Sequence, residues 1–253
     1  MTDVPSRMSS PAALDGDGLL AAWERGAAVP HAARATALLQ AALPDTPWAE
    51  AAAMPVARRD RALLELHACS FGANLAAFIA CPACGTRLEF TLPGAQAAAA
   101  LDMAPVEETI TRDGCTLRLR CAGSGDVAAA AALPDLATAR DALAARCLDV
   151  RDRAGQALTF ETLPDGLRAE VLTRLAALHD AAELSIGLLC PSCREHQTVL
   201  IDVPAFLWAE LRHAALRLLD EVHELAAACA WSESAILAMS TSRRRAYLDR
   251  VRG

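Results

Sequence analysis

Apolar positions along this chain change period several times, and each change marks an element. From Leu19 to Leu43 they recur at helical spacing, broken at Val29-Pro30 and stopped at Pro44 and Pro47. A second helical stretch begins at Arg58 and presents Leu63, Leu64, Leu66, Leu75 and Phe78, with an interruption expected at Phe71-Gly72 before it reaches Cys81. The period then falls to two: Leu88, Phe90 and Leu92 alternate along a strand that ends at Pro93-Gly94. Alternation returns from Glu107 to Cys121, where a turn at Arg112-Asp113-Gly114 predicts a hairpin. Helices are expected over 133–148 and 164–182. In the second, Leu167, Val171, Leu175, Leu178 and Ala182 form one apolar face that calls for a partner helix.

Residues Leu184–Leu189 make an apolar approach to a second cysteine turn, and Thr198–Val203 leads from it as a strand to Pro204. The strongest helix then runs from Ala205 to Cys229, with Leu207, Leu211, Ala215, Leu218, Val222, Leu225 and Cys229 on its buried stripe. Ser232 is read as the cap of a short helix through Met239, and Ser242 as the cap of one from Arg243 to Val251. Trp23 and Trp48 are expected to anchor on the core. The fold class is α+β, mainly α: a helical protein with a small split four-cysteine zinc ribbon and a β-hairpin insertion. Its segments are a flexible tail (1–18), an N-terminal helical segment (19–57), a first knuckle half (58–93), the inserted hairpin and helices (94–183), a second knuckle half (184–204) and a C-terminal helical segment (205–253).

The two cysteine turns carry the chemistry. Cys81-Pro-Ala-Cys84 and Cys190-Pro-Ser-Cys193 each set two thiols three positions apart around a proline, the spacing that aims two sulfurs at one ion. Cys81, Cys84, Cys190 and Cys193 together would complete one tetrahedral Zn2+ site. That site is structural, since four thiolates leave no open position for a substrate. The spacing favours one shared ion over two separate or metal-free knuckles. His67 and His196 are alternative ligands, but with four thiols at hand they read as bystanders. Gly85 follows the first turn, where positive φ is commonly required. Arg194 takes that place in the second and would cost about 1 kcal/mol there. Helix, cysteine turn, strand and proline occur twice in the same order, which suggests related halves.

The remaining chemistry is sparse. Cys69, Cys115, Cys121, Cys147 and Cys229 lack ligand spacing and read as small buried apolar residues. Gly123-Ser-Gly-Asp126 lacks the lysine and spacing of a phosphate loop, so Ser124 or Asp126 is expected to cap a helix instead. Glu221, His223 and Glu224 have no catalytic context and read as solvated. With no nucleophile beside a base, the chain is read as a non-enzyme with no small-molecule substrate.

Charge narrows the partners. The net charge of -7 leaves no global basic field, which argues against nucleic acid. All 24 basic residues are arginine, read first as coding bias; Arg243-Arg244-Arg245 is the one local run with a contact role in view. Residues 1–17 lack the apolar stretch of a signal peptide, and no run approaches the roughly 18 apolar residues of a membrane span. Nine cysteines, an odd number in a long chain, then fit a reducing cytoplasm and metal binding better than a disulfide scaffold.

Three stretches together resemble a known family. They are Cys81-Pro-Ala-Cys-Gly85 followed by Leu-Glu-Phe; Cys190-Pro-Ser-Cys193 followed by Asp202-Val-Pro-Ala-Phe-Leu-Trp-Ala-Glu210; and Glu221-Val-His-Glu-Leu225 running to Trp231-Ser-Glu-Ser-Ala-Ile-Leu-Ala-Met-Ser240 and Arg244-Arg-Ala-Tyr-Leu248. These look like bacterial proteins related to the T-even phage baseplate hub assembly chaperones of contractile, phage-tail-like injection systems. The resemblance covers about residues 60–253 and is strongest over the last fifty. It implies an accessory factor for baseplate or hub assembly whose partners are baseplate or hub proteins. It carries the ligand positions onto Cys81, Cys84, Cys190 and Cys193, and the aromatic landmarks onto Trp208 and Trp231. Ala230 and Arg194 stand where the family pattern has glycine. The C-terminal helices are the expected contact surface, with Trp208, Trp231, Arg243, Arg244, Arg245 and Tyr247 as partner-binding candidates. A structural baseplate component and a zinc-ribbon nucleic-acid or regulatory adaptor are the alternatives.

Overall fold

The computed structural model describes residues 11–253, so the first ten residues of the expected tail lie outside the described chain. Helix α1 (Gly16–Ala28) already starts within that tail segment. The Leu14 N–H just before it donates to Ser70 Oγ at 2.9 Å, and its side chain packs on the main core. After Pro30 and a single 3-10 turn come α2 (Arg34–Ala42), α3 (Trp48–Ala53) and α4 (Val56–Ser70). Trp23 does pack on the core, but Trp48, at the first position of α3, stays 43% exposed.

Helix α4 stops where an interruption was expected and does not resume: Gly72 takes φ +118, and Asn74–Ala80 form strand β1. Leu75 and Phe78, which helical spacing would put on one side, therefore fall on opposite faces, Leu75 buried and Phe78 57% exposed. Strand β1 pairs antiparallel with β2 (Arg87–Pro93), Ile79 opposite Leu88, and the alanine-rich α5 (Gly94–Asp102) follows and packs on α4.

The insertion holds β3 (Glu107–Arg112) and β4 (Cys115–Arg120), the expected hairpin, closed by Asp113-Gly114. Helices α6 (Ser124–Ala131) and α7 (Leu136–Cys147) come next. The expected helix end at Leu148 is instead the start of β5 (Leu148–Arg151), which sets Leu148 and Val150 opposite Leu119 and Leu117. A short β6 (Ala157–Leu158) completes a four-stranded sheet, and α8 (Asp165–Asp180) lies on β4 and α7. The apolar face of α8 thus meets a sheet as well as a helix. Leu167, Val171, Leu175 and Leu178 close a second core with Leu117, Leu119, Val150 and Phe160, while Ala182 joins the main one.

Strands β7 (Ser185–Leu189) and β8 (His196–Leu200) form another two-stranded hairpin. The strand after the second cysteine turn lies earlier than alternation indicated, because Asp202 Oδ1 accepts from the Ala205 N–H at 2.9 Å and so starts α9 (Val203–Cys229) at once. This helix buries Leu207, Leu211, Ala215, Leu218, Val222 and Leu225 in the main core; Cys229 is only half-buried. Ala230 ends it at φ +54, a left-handed position that ordinarily favours glycine. Ser232 caps α10 (Glu233–Leu237) as expected, but Ser240, not Ser242, caps α11 (Thr241–Arg252), which begins earlier than the arginine run suggested. Small antiparallel sheets within a largely helical chain make the fold α+β, mainly α.

The insertion is joined to α4 at the glycine cluster. The Val56 N–H donates to Ala122 O at 3.0 Å, and a Cβ on Gly123 would lie 2.5 Å from Ala52 O. Close backbone approach, not phosphate binding, accounts for that glycine. The buried carboxylate of Asp126 accepts from the Gly123 N–H (3.0 Å), Arg120 Nη1 (2.7 Å) and Arg146 Nε (2.9 Å), which ties α6 to β4 and α7. Burial alone would raise this carboxyl, but the hydrogen bonds from Arg120, Gly123 and Arg146 outweigh it and hold it below the usual carboxylate range.

Because the folded carboxyl titrates below the unfolded one, its stabilisation is complete above about pH 4 and is lost as pH falls through the folded value. Asp126→Asn is expected to cost about 1–3 kcal/mol in urea unfolding at pH 7. That difference should shrink below about pH 4; a difference that stays constant down to about pH 2 contradicts this role.

Candidate metal centre

Each cysteine turn sits at the tip of one two-stranded hairpin and is folded by the same backbone bonds. In the first, the Cys81 N–H donates to Thr86 O (2.8 Å) and the Gly85 N–H to Cys81 O (2.8 Å). In the second, the Cys190 N–H donates to Glu195 O (2.9 Å) and the Arg194 N–H to Cys190 O (2.9 Å). Gly85 has φ +75 and Arg194 φ +63, so the left-handed position is required in both. A Cβ on Gly85 would meet nothing within 4 Å, hence what glycine supplies there is conformation and not space.

The tips face each other. Cys81 Sγ lies 3.7 Å from Cys193 Sγ, Cys84 Sγ lies 3.6 Å from Cys190 Sγ, and all four sulfurs fall within 4.8 Å of one another. Four thiolates about 2.3 Å from one Zn2+ would stand about 3.8 Å apart along the edges of a tetrahedron. The observed contacts match that edge and are far beyond a disulfide bond of about 2.05 Å. Each turn contributes one buried sulfur, Cys81 or Cys190, and one exposed sulfur, Cys84 or Cys193. Leu88, Ile79 and Leu188 pack beneath the buried pair. Hydrogen bonding from Thr86 holds the Cys84 thiol down to about 6. The Glu195 amide pulls Cys193 the same way, but partial desolvation and hydrogen bonding with the three neighbouring sulfurs carry it up to about 12. Cys84 and Cys193 are thus pushed in opposite directions, and a soft metal ion that takes the cluster as thiolates removes the conflict.

Among the described residues the cluster contains only cysteines. His67 is buried elsewhere between Phe71 and Phe206, with Nε2 2.8 Å from Glu210 Oε2 and Nδ1 unpartnered; His196 is exposed at the start of β8. Neither substitutes as a ligand. The alternation of residues gave no sign of Thr86, which lies 3.3 Å from Cys84 Sγ and donates to Ser192 Oγ at 3.0 Å, latching one tip to the other. Of the other cysteines, Cys121 and Cys147 are buried, and burial pushes the Cys147 thiol up to about 11. Cys69 is exposed, contrary to the buried reading.

The partner-binding candidates divide. Arg244 is a correction: it is only 5% exposed, its Nε donates to Glu221 Oε2 (3.0 Å) and its Nη1 to Met239 O (2.7 Å), so it braces α11 against α9 instead of facing outward. Glu221 and Glu224 are likewise paired, Glu224 with Arg252 at 2.8 Å, where free solvated carboxylates were expected. Trp208 is half-buried over Gly26, with the Arg34 guanidinium 4.3 Å from its ring, and Trp231 meets Tyr247 edge-on at 4.8 Å. Arg243 and Arg245 remain on the surface.

The family described as T4 bacteriophage base plate protein matches residues 37–208 of this chain. Both cysteine turns, the insertion and both hairpins lie inside that span. The match ends at Trp208, so Trp231, Tyr247 and the arginine run lie beyond it. No curated protein and no solved structure gives a match.

Replacing Arg194 by glycine should relieve the left-handed strain without disturbing the sulfurs, and stabilise the protein by about 1 kcal/mol in denaturant unfolding. A destabilised Arg194→Gly would mean that the arginine side chain makes a compensating contribution at the cluster.

Proposed function

This chain belongs to the T4 bacteriophage base plate protein family, which matches more than half of its length. From that premise we propose that it is a non-enzymatic assembly factor, or chaperone, for the baseplate or hub of a contractile, phage-tail-like injection system. The family match around both cysteine turns carries this reading. Its partners are other baseplate or hub proteins. Cys81, Cys84, Cys190 and Cys193 hold a structural Zn2+, which supplies a covalent-like cross-link between the two hairpins and leaves no position for a substrate. Arg243 and Arg245, with the outer faces of Trp231 and Tyr247, are the contact residues the C-terminal helices still offer. No described helix is long and apolar enough to cross a membrane.

The family description names the base plate itself, and this favours a second reading in which the chain stays in the finished particle as a structural component. Particle composition separates the two. A chaperone is expected to co-purify with hub or baseplate proteins before assembly and to be missing from mature particles; stoichiometric retention would replace that reading with the structural one. Failure to associate with either would remove both.

The zinc assignment has its own test. The purified chain should carry one equivalent of zinc, and Cys84→Ala and Cys190→Ala, made separately, should each lose all of it. Partial, independent losses would mean two separate sites.

A further inference from the structure

We propose that a cleft beside the second hairpin binds a basic side chain of a partner protein, an arginine flanked by apolar residues. The cleft has a volume of about 360 Å³ and lies where the start of α4, the insertion and the base of β7–β8 meet. That is the lower end of the range for ligand pockets and suits a long side chain with part of its neighbours. Val56, Leu184 and Ile201 line it with apolar surface, and its rim carries two exposed apolar residues, Val127 and Leu200.

The polar groups in the cleft are unbalanced. Asp60, Glu183 and Asp202 bring three carboxylates, and the one cation, Arg59, is already engaged: its Nε donates to Asp60 Oδ1 at 2.6 Å and its Nη1 to Ser124 Oγ at 3.0 Å. His179 adds no charge. Its Nε2 accepts from the Ala122 N–H at 2.9 Å, and burial lowers its pKa, so it stays neutral. Glu183 and Asp202 are exposed at the cleft; among the described residues Glu183 enters no ion pair, and Asp202 uses only Oδ1, to cap α9. Burial raises the Asp60 carboxyl despite Arg59, and Asp202 adds to the effect; a second cation would relieve both.

Charge complementarity therefore selects a cation, and the apolar walls and rim select one carried on a polypeptide over a free metal ion or polyamine, which would leave those walls unused. Nucleic acid is repelled by the same carboxylates. The proposal stands apart from the baseplate reading and from the C-terminal contact residues.

The test is an NMR titration of the full, metal-loaded 15N-labelled chain with the peptide acetyl-Leu-Arg-Leu-amide, beside the same peptide with neutral citrulline in place of arginine. The arginine peptide should give saturable shifts at the amides of Asp60, Glu183 and Ile201, with affinity about tenfold or more above the citrulline peptide. The Glu183→Gln, Asp202→Asn double variant, in which asparagine still caps α9, should bring the two peptides to equal affinity; Glu183→Gln alone should narrow the gap. Absence of saturable shifts, shifts centred elsewhere, equal affinity of the two peptides for the unaltered chain, or an undiminished preference in the folded variants would each overturn the proposal.

Discussion

Four sulfur atoms from two segments far apart in the chain come within 4.8 Å of one another, and much of the architecture follows from that meeting. A two-stranded hairpin is marginal by itself in water. Here β1–β2 and β7–β8 share only a few apolar side chains near their tips, Ile79, Leu88 and Leu188 with the buried cysteines. Such a small cluster cannot hold two hairpins tip to tip. The cysteine cluster and the Thr86–Ser192 bond are what remain to hold them, and the repeated backbone bonds of the two turns bring both sulfur pairs into one geometry. Most of the chain between the hairpins, from β3 to α8, is thereby looped out as an insertion with its own core, and everything after the second hairpin begins at a fixed point, Asp202, from which α9 departs.

A second joint fixes the insertion. At Gly123 its backbone lies against α3 and the start of α4, and Asp126 gathers Arg120 and Arg146 just behind it. The cleft formed there depends on both joints, since its walls come from α4, from the insertion and from the base of the second hairpin. In this way the four-cysteine cluster, though distant from the cleft, helps determine which surfaces the molecule presents. Arg244 shows the same economy at the other end: a residue from a basic run is spent bracing α11 on α9, leaving its neighbours Arg243 and Arg245 outside.

The grouping of the four cysteines, the positive φ at Gly85 and Arg194, the hairpin at Asp113-Gly114 and the stripe of α9 were all readable, because each is a local rule with its own residue signature. What escaped was set by tertiary partners. Leu75 and Phe78 fit a helix until Gly72 ends it, and only pairing with β2 reveals the strand. Leu148–Arg151 is too short to stand out beside an alanine-rich helix and becomes a strand because β4 offers it an edge. Arg244 and Glu221, Thr86 and Ser192, and the three carboxylates of the cleft come from separate stretches of the sequence, and no spacing rule joins them. The strongest part of the family resemblance was placed in the last fifty residues, whereas the family match lies in 37–208, around the cysteines.

The central claim is that one metal ion, held by both turns, keeps the two hairpins together. Hydrogen exchange measured residue by residue before and after metal is removed with a chelator tests it most directly. The account predicts that amides of 74–93 and 185–200 lose protection together, while the second core around Leu117, Val150 and Val171 keeps its own. Loss confined to one hairpin, or no change in either, would contradict it.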